Sequence, residues 1–503
     1  MQPDLLPHDS PPDAGLDAAS SGDPAQATVL VVDLDGTLCR TDTLHEALLA
    51  LLTAKPAMLP GIFRGLLEGK AAFKARVADL YVVPATQLPL NEALLDQLRA
   101  EHSRGRRIAL VSASDHRQVE AVAAHCGLFE EAVGTGSPLA LGKNLSGRAK
   151  ADFLTQRYGA RGFDYIGDAK VDLPVWTAAQ RAITLNAGPG LRLAAEGANS
   201  QAEHRDPGQG MKGRFGQYLR AMRPHQWSKN LLVFLPMLAA HDIGAAPSSL
   251  IAFICFCLTA SSVYLINDLI DLQADRAHPR KRNRPFAAGN ISLISGAVLS
   301  AGLVVLAAAL ALLFTPIAFL GVLAFYYAAT FAYSLFLKRK LIVDVLTLAG
   351  LYTLRIIAGA TAASLVLSPW MLGFSMFLFL SLAAVKRQAE LMDQLKDGRD
   401  KTAGRDYETE DLPVLRGIAL SSGYAAVLVL ALYISSPEIQ RLYDYPVLLW
   451  LICPLRLYWI SRMVLMTHRG YMTDDPIVYA ATDRASQFVI LITGLILMTA
   501  ALW

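Results

Sequence analysis

The chain has 503 residues, of which 53% are hydrophobic and 18% charged, and its formal net charge is +3. That balance is too apolar for a single soluble domain, and the small positive charge gives no argument for a nucleic-acid partner. The apolar residues gather in the C-terminal part, so a soluble α/β portion followed by an all-α polytopic membrane portion is expected.

In chain order, residues 1–27 are rich in Pro, Asp, Ser and Ala without the apolar core of a cleavable signal, and read as a disordered tail. Thr28 to Val32 is a β-branched, apolar run read as a buried strand, and it leads directly into Asp33-Leu-Asp35-Gly36-Thr37. An aspartate at the C-terminal end of a parallel strand stands where open α/β sheets bind ligands, and it suits a nucleophile toward phosphorus. Asp35, two residues on, is placed to protonate a leaving alcohol and then to activate water. Gly36 permits the sharp turn between them. Arg107 to Val111 is a second apolar strand, ending in Ser112, and Phe163 to Gly167 is a third, ending in Asp168 with Asp172 four residues later.

DxDGT after a strand, then a strand-end serine, a lysine and a strand–GDxxxD resembles the haloacid-dehalogenase phosphatase superfamily. The resemblance implies a Rossmann-like α/β domain over 28–190. It further implies a hydrogen bond from Ser112 to the transferring phosphoryl, with Lys150 neutralising charge on that group and Lys143 as the second candidate. Mg²⁺ is expected on Asp33, Asp168 and the Asp35 carbonyl, with Asp172 behind them. Thr43–Leu52, Ala57–Leu67 and Ala71–Leu80 carry helical apolar spacing and read as a cap inserted over about 40–105. Gly188-Pro-Gly190 reads as the end of the sheet domain, 191–211 as a linker, and Lys212 to Arg223 as an interfacial amphipathic helix opening a membrane domain over 212–503.

Apolar runs follow at Leu231–Ala240, Leu250–Ile266, Leu293–Phe314, Ile317–Leu337, Leu341–Leu367, Trp370–Val385, Val414–Ile434, Val447–Met466 and Phe488–Trp503, about nine spans with kinks expected at Pro236 and Pro454. Cys255 and Cys257 lie inside one of these runs and read as small core residues; the other three cysteines, Cys39, Cys126 and Cys453, show no metal-ligand spacing. The basic loops 276–284, 338–340, 386–405 and 468–484 alternate with uncharged ones. By the positive-inside rule they and the N-terminal domain belong in the cytoplasm, in a multi-pass protein of the inner (plasma) membrane, with Trp503 outside.

The second run ends in Asn267-Asp268-Leu-Ile-Asp271-Leu-Gln-Ala-Asp275, and a basic loop with Arg276, Lys281, Arg282 and Arg284 comes next. On a continuous helix Asp268, Asp271 and Asp275 share one stripe, and three carboxylates at a membrane boundary call for a cation. Mg²⁺, shared with substrate phosphates, is the natural one. Arg355, deep in a later run, needs a partner, for which Asp344 is the candidate.

This NDxxDxxxD with its basic loop, preceded by Arg223-Pro-His-Gln-Trp227-Ser-Lys229-Asn230, resembles the UbiA superfamily of intramembrane prenyltransferases, and within it the polyprenyl-phosphate phosphoribosyltransferase branch. The second DxxxD of the aromatic prenyltransferases is missing; Lys338-Arg339-Lys340, Asp344, Tyr352 and Arg355 stand there instead. The resemblance implies transfer from phosphoribosyl pyrophosphate to a polyprenyl phosphate. In that reading Mg²⁺ sits on Asp268, Asp271 and Asp275, Asn267 orients it, and Arg223, Lys229, Arg276, Lys281, Arg284, Tyr352, Arg355 and Lys386 serve as phosphate-binding residues. Arg387 and Glu390, beside Lys386, would belong to the site as well. The alternatives are prenylation of an aromatic acceptor, a transporter, and an N-terminal half that regulates rather than hydrolyses.

Overall fold

The structure, a computed structural model, describes residues 28–140, 143–206, 211–396, 405–472 and 475–502. The expected tail and Trp503 lie outside them. The chain divides into two units between Lys212 and Gly213.

The first unit runs β1 (Val29–Val32), α1 (Thr43–Ala54), α2 (Leu59–Arg64), α3 (Lys70–Leu80), α4 (Glu92–Ser103), β2 (Ile108–Asp115), α5 (His116–Cys126), β3 (Glu131–Thr135), α6 (Arg148–Tyr158), β4 (Phe163–Gly167), α7 (Leu173–Ala178), β5 (Ala182–Leu185), α8 (Pro189–Ala198) and β6 (Ala202–Arg205). All strands pair in parallel in the order β3-β2-β1-β4-β5-β6, with Leu30 opposite Ile108 and Val29 opposite Phe163. β1 and β4 are buried throughout, which is why they read as continuous apolar runs rather than as alternating ones. The order reverses at β1, so the ends of β1, β2 and β4 open into one crevice, the position where doubly wound sheets hold ligands.

Two expectations are corrected here. The middle cap helix is only Leu59–Arg64, flanked by 3₁₀ turns at Pro56–Met58 and Gly65–Glu68, because proline and glycine interrupt the apolar periodicity. The sheet domain does not end at Gly190. α8 follows at once, and β6 pairs with β5 inside the stretch read as linker. Its composition is polar because β6 is only half-buried.

The second unit opens with α9 (Met211–Met222), which leaves Phe215 and Leu219 exposed. A 3₁₀ stretch, Pro224–Phe234, leads into the short α10 (Leu235–Ala239). α11 (Ala246–Ile270), α12 (Leu272–Ala277), α13 (Leu293–Phe314), α14 (Ile317–Leu335), α15 (Val343–Ala363), α16 (Pro369–Lys396), α17 (Leu412–Ile434), α18 (Pro437–Leu442), α19 (Ile452–His468), α20 (Pro476–Thr482) and α21 (Arg484–Leu502) complete it. Among the described residues eight helices are long and apolar enough to cross a membrane, and this is a multi-pass membrane protein.

The expected span Leu231–Ala240 is not one of the eight; it is divided between the 3₁₀ stretch and α10. Eleven residues of 3₁₀ helix and five of α-helix cover roughly 29 Å, close to the ~30 Å hydrocarbon thickness. The pair runs antiparallel along α11. Arg223 meets Asp268, the Trp227 indole donates to Ser261 Oγ at 3.0 Å, and Asn230 donates to Cys257 Sγ at 3.4 Å. Pro236 opens α10, and Pro454 lies in the first turn of α19, directly after a 3₁₀ stretch at Pro446–Leu451.

A side chain at Gly359 of α15 would run into the Val233 carbonyl, whereas one at Gly350 on the same helix meets nothing within 4 Å. Gly359→Ala is therefore expected to lower the detergent melting temperature by an overpacking penalty of about 1–3 kcal/mol, and Gly350→Ala to leave it level or higher. Equal melting temperatures would mean that the 3₁₀ stretch does not press on α15.

Candidate active sites

The end of β1 delivers Asp33, the end of β4 delivers Asp168, and the turn after it delivers Asp172; one carboxylate oxygen from each lies within 4.8 Å of the others. Two close approaches depend on glycine. Gly36, at φ +78°, leaves no room for a Cβ beside the Asp168 carboxylate, and a Cβ at Gly167 would stand 2.6 Å from Asp172 Oδ2. Lys150, buried on α6, places its ammonium 3.1 Å from Asp33 Oδ1 and 3.9 Å from Asp172 Oδ1. It also donates to the Tyr165 hydroxyl at 2.8 Å, which in turn donates to Asp172 at 3.0 Å. The Leu34 amide donates to Asp33 Oδ1 at 2.8 Å. Lys150 and Leu34 thus hold one oxygen of Asp33 and leave the other for attack or for a cation.

The carboxyl of Asp35 turns away from that trio toward the cap. It accepts from the Thr43 amide at 2.8 Å and from the Ser114 hydroxyl. Burial, with the charge of Asp42 beside it, pushes Asp35 up to about 7. Burial and the neighbouring charges of Asp33 and Asp172 push Asp168 up to about 7, and burial with Asp33 pushes Asp172 up to about 6. Three crowded carboxylates with one ammonium among them are short of positive charge, and that fits a divalent cation. Ser112 is buried on β2 and accepts from the Ser114 amide at 3.2 Å, while Lys143 is exposed.

Sequence reasoning missed Thr43, Ser114 and Tyr165, which carry no motif: Thr43 reads as a helix start, Tyr165 as a strand position, and Ser114 lies two residues beyond the expected strand's end at Ser112. It also could not assign a contact from the cap. Here that contact is Lys74, whose ammonium donates to the Ala113 carbonyl at 2.6 Å and to Asn144 Oδ1 at 3.1 Å beside Ser114. Burial lowers its pKa.

In the membrane unit the aspartate stripe does not form. α11 ends at Ile270, and Asp271 caps both it and α12. Asp268 and Asp275, both buried, converge on Arg284, whose Nη1 donates to them at 3.2 and 2.6 Å, and Arg223 pairs with Asp268 as well. Asp271 points elsewhere, 3.8 Å from Lys338 and partly exposed. Among the described residues Asp33, Asp168 and Asp172 are the one converging group of three; Asp268, Asp271 and Asp275 are not such a group. Two carboxylates suffice for Mg²⁺ when substrate phosphates complete its shell, so Asp268 and Asp275 fit it and Asp271 does not.

Of the other expected residues, Asn267 is half-buried beside Asp268, Arg276 donates to the Ala287 carbonyl at 3.1 Å, and Lys281 is exposed. Arg355 does not pair with Asp344, because eleven residues along a helix put them about 16 Å apart. It donates to Asn230 Oδ1 at 2.9 Å, to the Tyr326 hydroxyl at 2.8 Å and to the Leu351 carbonyl at 2.6 Å, over the face of Tyr352. The partner of Asp344 is Arg387, a fully buried pair between α15 and α16, and Arg387 also donates to the half-buried Tyr333 and Glu390. Lys386 and Lys229 meet instead on Asp475, at 3.2 and 2.6 Å. Burial raises the Asp475 carboxyl, and the charges of Lys386 and Lys229 outweigh it and hold it at about 2. Asp475 was not foreseen, since one aspartate in a charged loop segment gives no sign of two distant lysines.

Residues 231–474 match the UbiA prenyltransferase family, and residues 30–176 match the haloacid dehalogenase-like hydrolases. The chain is 36% identical to protein y4nM of Sinorhizobium fredii over 466 residues, 92% of this chain and 88% of that one. It is 38% identical to the nodulation protein NoeC of Azorhizobium caulinodans over 55% of this chain and 91% of that one. It is 37% identical to the decaprenyl-phosphate phosphoribosyltransferase of Mycolicibacterium smegmatis over 44% of this chain and 70% of that one.

Asp168 and Asp172 titrate well above the usual carboxylate range in the folded unit, so between about pH 4 and 7 the fold holds protons that the unfolded chain has released. Stability must then fall as pH rises through that window. In chelator, the melting temperature of the N-terminal unit within the full chain should drop from pH 5.5 to pH 8, Mg²⁺ should restore it at pH 8, and Asp168→Asn should flatten the slope. A level profile in chelator would show that the carboxylates do not crowd one another.

Proposed function

The chain belongs to the UbiA prenyltransferase family, with a haloacid dehalogenase-like hydrolase domain at its N-terminus, and on that premise we propose a two-step activity. The membrane unit transfers ribose 5-phosphate from phosphoribosyl pyrophosphate to a polyprenyl phosphate, and the N-terminal unit then removes the 5-phosphate. The final product, a polyprenyl-phospho-ribose, would serve as a pentose donor for cell-envelope polysaccharide. The observation that carries the reading is the convergence of Arg223 and Arg284, from opposite sides of α11 in sequence, on Asp268 and Asp275. It is supported by the likeness to a decaprenyl-phosphate phosphoribosyltransferase.

Arg223 and Arg284 present planar guanidinium donors that match phosphate oxygens two at a time, and a pyrophosphate would draw them from their carboxylates. The C1–O bond breaks with its electron pair leaving on pyrophosphate, while an oxygen of the lipid phosphate forms the new bond to C1. The nucleophile is already an anion, so no base is needed. Bound Mg²⁺, on Asp268 and Asp275 in one unit and on Asp33, Asp168 and Asp172 in the other, supplies neutralisation of phosphate charge.

In the second step Asp33 attacks the 5-phosphate and forms an aspartyl-phosphate as the P–O5 bond breaks. Asp35, half-protonated near neutrality, gives its proton to the leaving O5. It then takes a proton from the water that attacks phosphorus, which releases inorganic phosphate and frees Asp33. Lys150 offsets the charge on the phosphoryl throughout. The basic loops and the N-terminal unit face the cytoplasm of the inner membrane, where the donor is found. Sharing one chain keeps the first product near the phosphatase.

With Mg²⁺, phosphoribosyl pyrophosphate and a polyprenyl phosphate, the wild type should yield phospho-ribose lipid by mass spectrometry. Asp33→Asn should stop at the lipid-linked ribose 5-phosphate, and Asp268→Asn should lose about 10²–10³-fold in the first step. Unchanged lipid in every lane beside an active control enzyme would overturn the donor assignment, and turnover of a prenyl diphosphate with an aromatic acceptor would replace it.

A further inference from the structure

Two cationic centres lie on the membrane unit's 3₁₀ stretch, and they differ in kind. Arg223 stands at its start and Lys229 six residues later. At about 2 Å of rise per residue the two are roughly 12 Å apart along the stretch, Arg223 turned to Asp268 of α11 and Lys229 to Asp475. The arginine centre holds two carboxylates and two guanidinium groups. The lysine centre holds one carboxylate, Asp475, between two ammonium groups that arrive from the 3₁₀ stretch and from α16. Among the described residues it therefore carries an excess positive charge, with one carboxylate against the arginine centre's two.

The surroundings also differ. The crevice at Lys386 and Asp475 is lined by Tyr352 with Leu348, Leu382 and Ile477, and its free volume is about 20 Å³. That is room for one water-sized group, so an anion would enter by taking the lysines from Asp475 rather than by filling a void. A highly polar sugar diphosphate gains nothing from leucine and isoleucine walls, whereas an amphiphile with a phosphate head gains from both.

We propose that Lys229 and Lys386, aimed at one point by Asp475, hold the phosphate of the lipid acceptor, and that the arginine centre holds the donor's pyrophosphate. This rests on the transfer reading above and divides its phosphate sites between the two substrates. The 3₁₀ stretch then acts as a spacer between the phosphates of the two substrates.

The test uses the full-length chain in detergent with farnesyl phosphate and phosphoribosyl pyrophosphate, with KM measured for each. Lys386→Gln and Lys229→Gln should each raise the KM for farnesyl phosphate about tenfold or more and leave that for the donor within about twofold. Lys386→Arg should recover most of the loss, which together with an unchanged size-exclusion profile separates lost charge from lost fold. A rise confined to the donor, or no rise in either, would overturn the assignment while the transfer reading stands. Should the wild type transfer nothing, equilibrium binding of farnesyl phosphate against farnesol, without donor, decides alone. Binding of the phosphate weakened about tenfold by Lys386→Gln upholds the seat without the reaction; equal binding by both proteins ends it.

Discussion

A carboxylate taken out of water must find a proton or a cation, and both units are arranged around that constraint. The soluble unit meets it in part, with one ammonium among Asp33, Asp168 and Asp172 and an upward shift on two of them. Among the described residues the membrane unit sets an arginine at each buried aspartate, Arg223 and Arg284 at Asp268, Arg284 at Asp275 and Arg387 at Asp344, and two lysines, Lys229 and Lys386, at the half-buried Asp475. The difference is chemical. The trio of the soluble unit is left short of positive charge, whereas the arginines and lysines of the membrane unit are paired and aimed by its carboxylates.

Not every buried ion pair belongs to a site. Arg387 and Asp344 are both buried completely, and Arg387 is also held by Tyr333 and Glu390. Such a clamp fixes α15 against α16, and breaking it would leave an uncompensated charge. Arg355 likewise spends its donors on Asn230, Tyr326 and the Leu351 carbonyl, which ties the 3₁₀ stretch to α14 and α15. These arginines set the depth and rotation of the elements that carry Lys229 and Tyr352.

The 3₁₀ stretch is the least expected element. Runs of this length are uncommon because the hydrogen bonds are poorer and the side chains eclipse. Here it rises about 22 Å in eleven residues, more than an α-helix of that length would, and packs so closely on α15 that Gly359 lies against Val233. Neither Pro224 nor Pro236 disturbs it, since each stands where a helix begins and has no N–H hydrogen bond to lose.

The sequence by itself determined what local chemistry can state. Asp33, Asp35 and Asp168 follow apolar runs that burial on both faces of a sheet makes continuous, so their strand-end positions were legible. The spanning helices were legible from length and apolarity, because lipid requires both of every regular helix that crosses it. Tertiary structure alone decided what depends on distant partners. The stripe of Asp268, Asp271 and Asp275 assumed an unbroken helix, and the break at Asp271 sent its side chain to Lys338. Asp344 chose Arg387 over Arg355, and Asp475 gathered lysines 246 and 89 residues away. Periodicity reports which face a residue takes along its own element; which charge it meets is set by how the elements pack, and that information is spread over the whole chain.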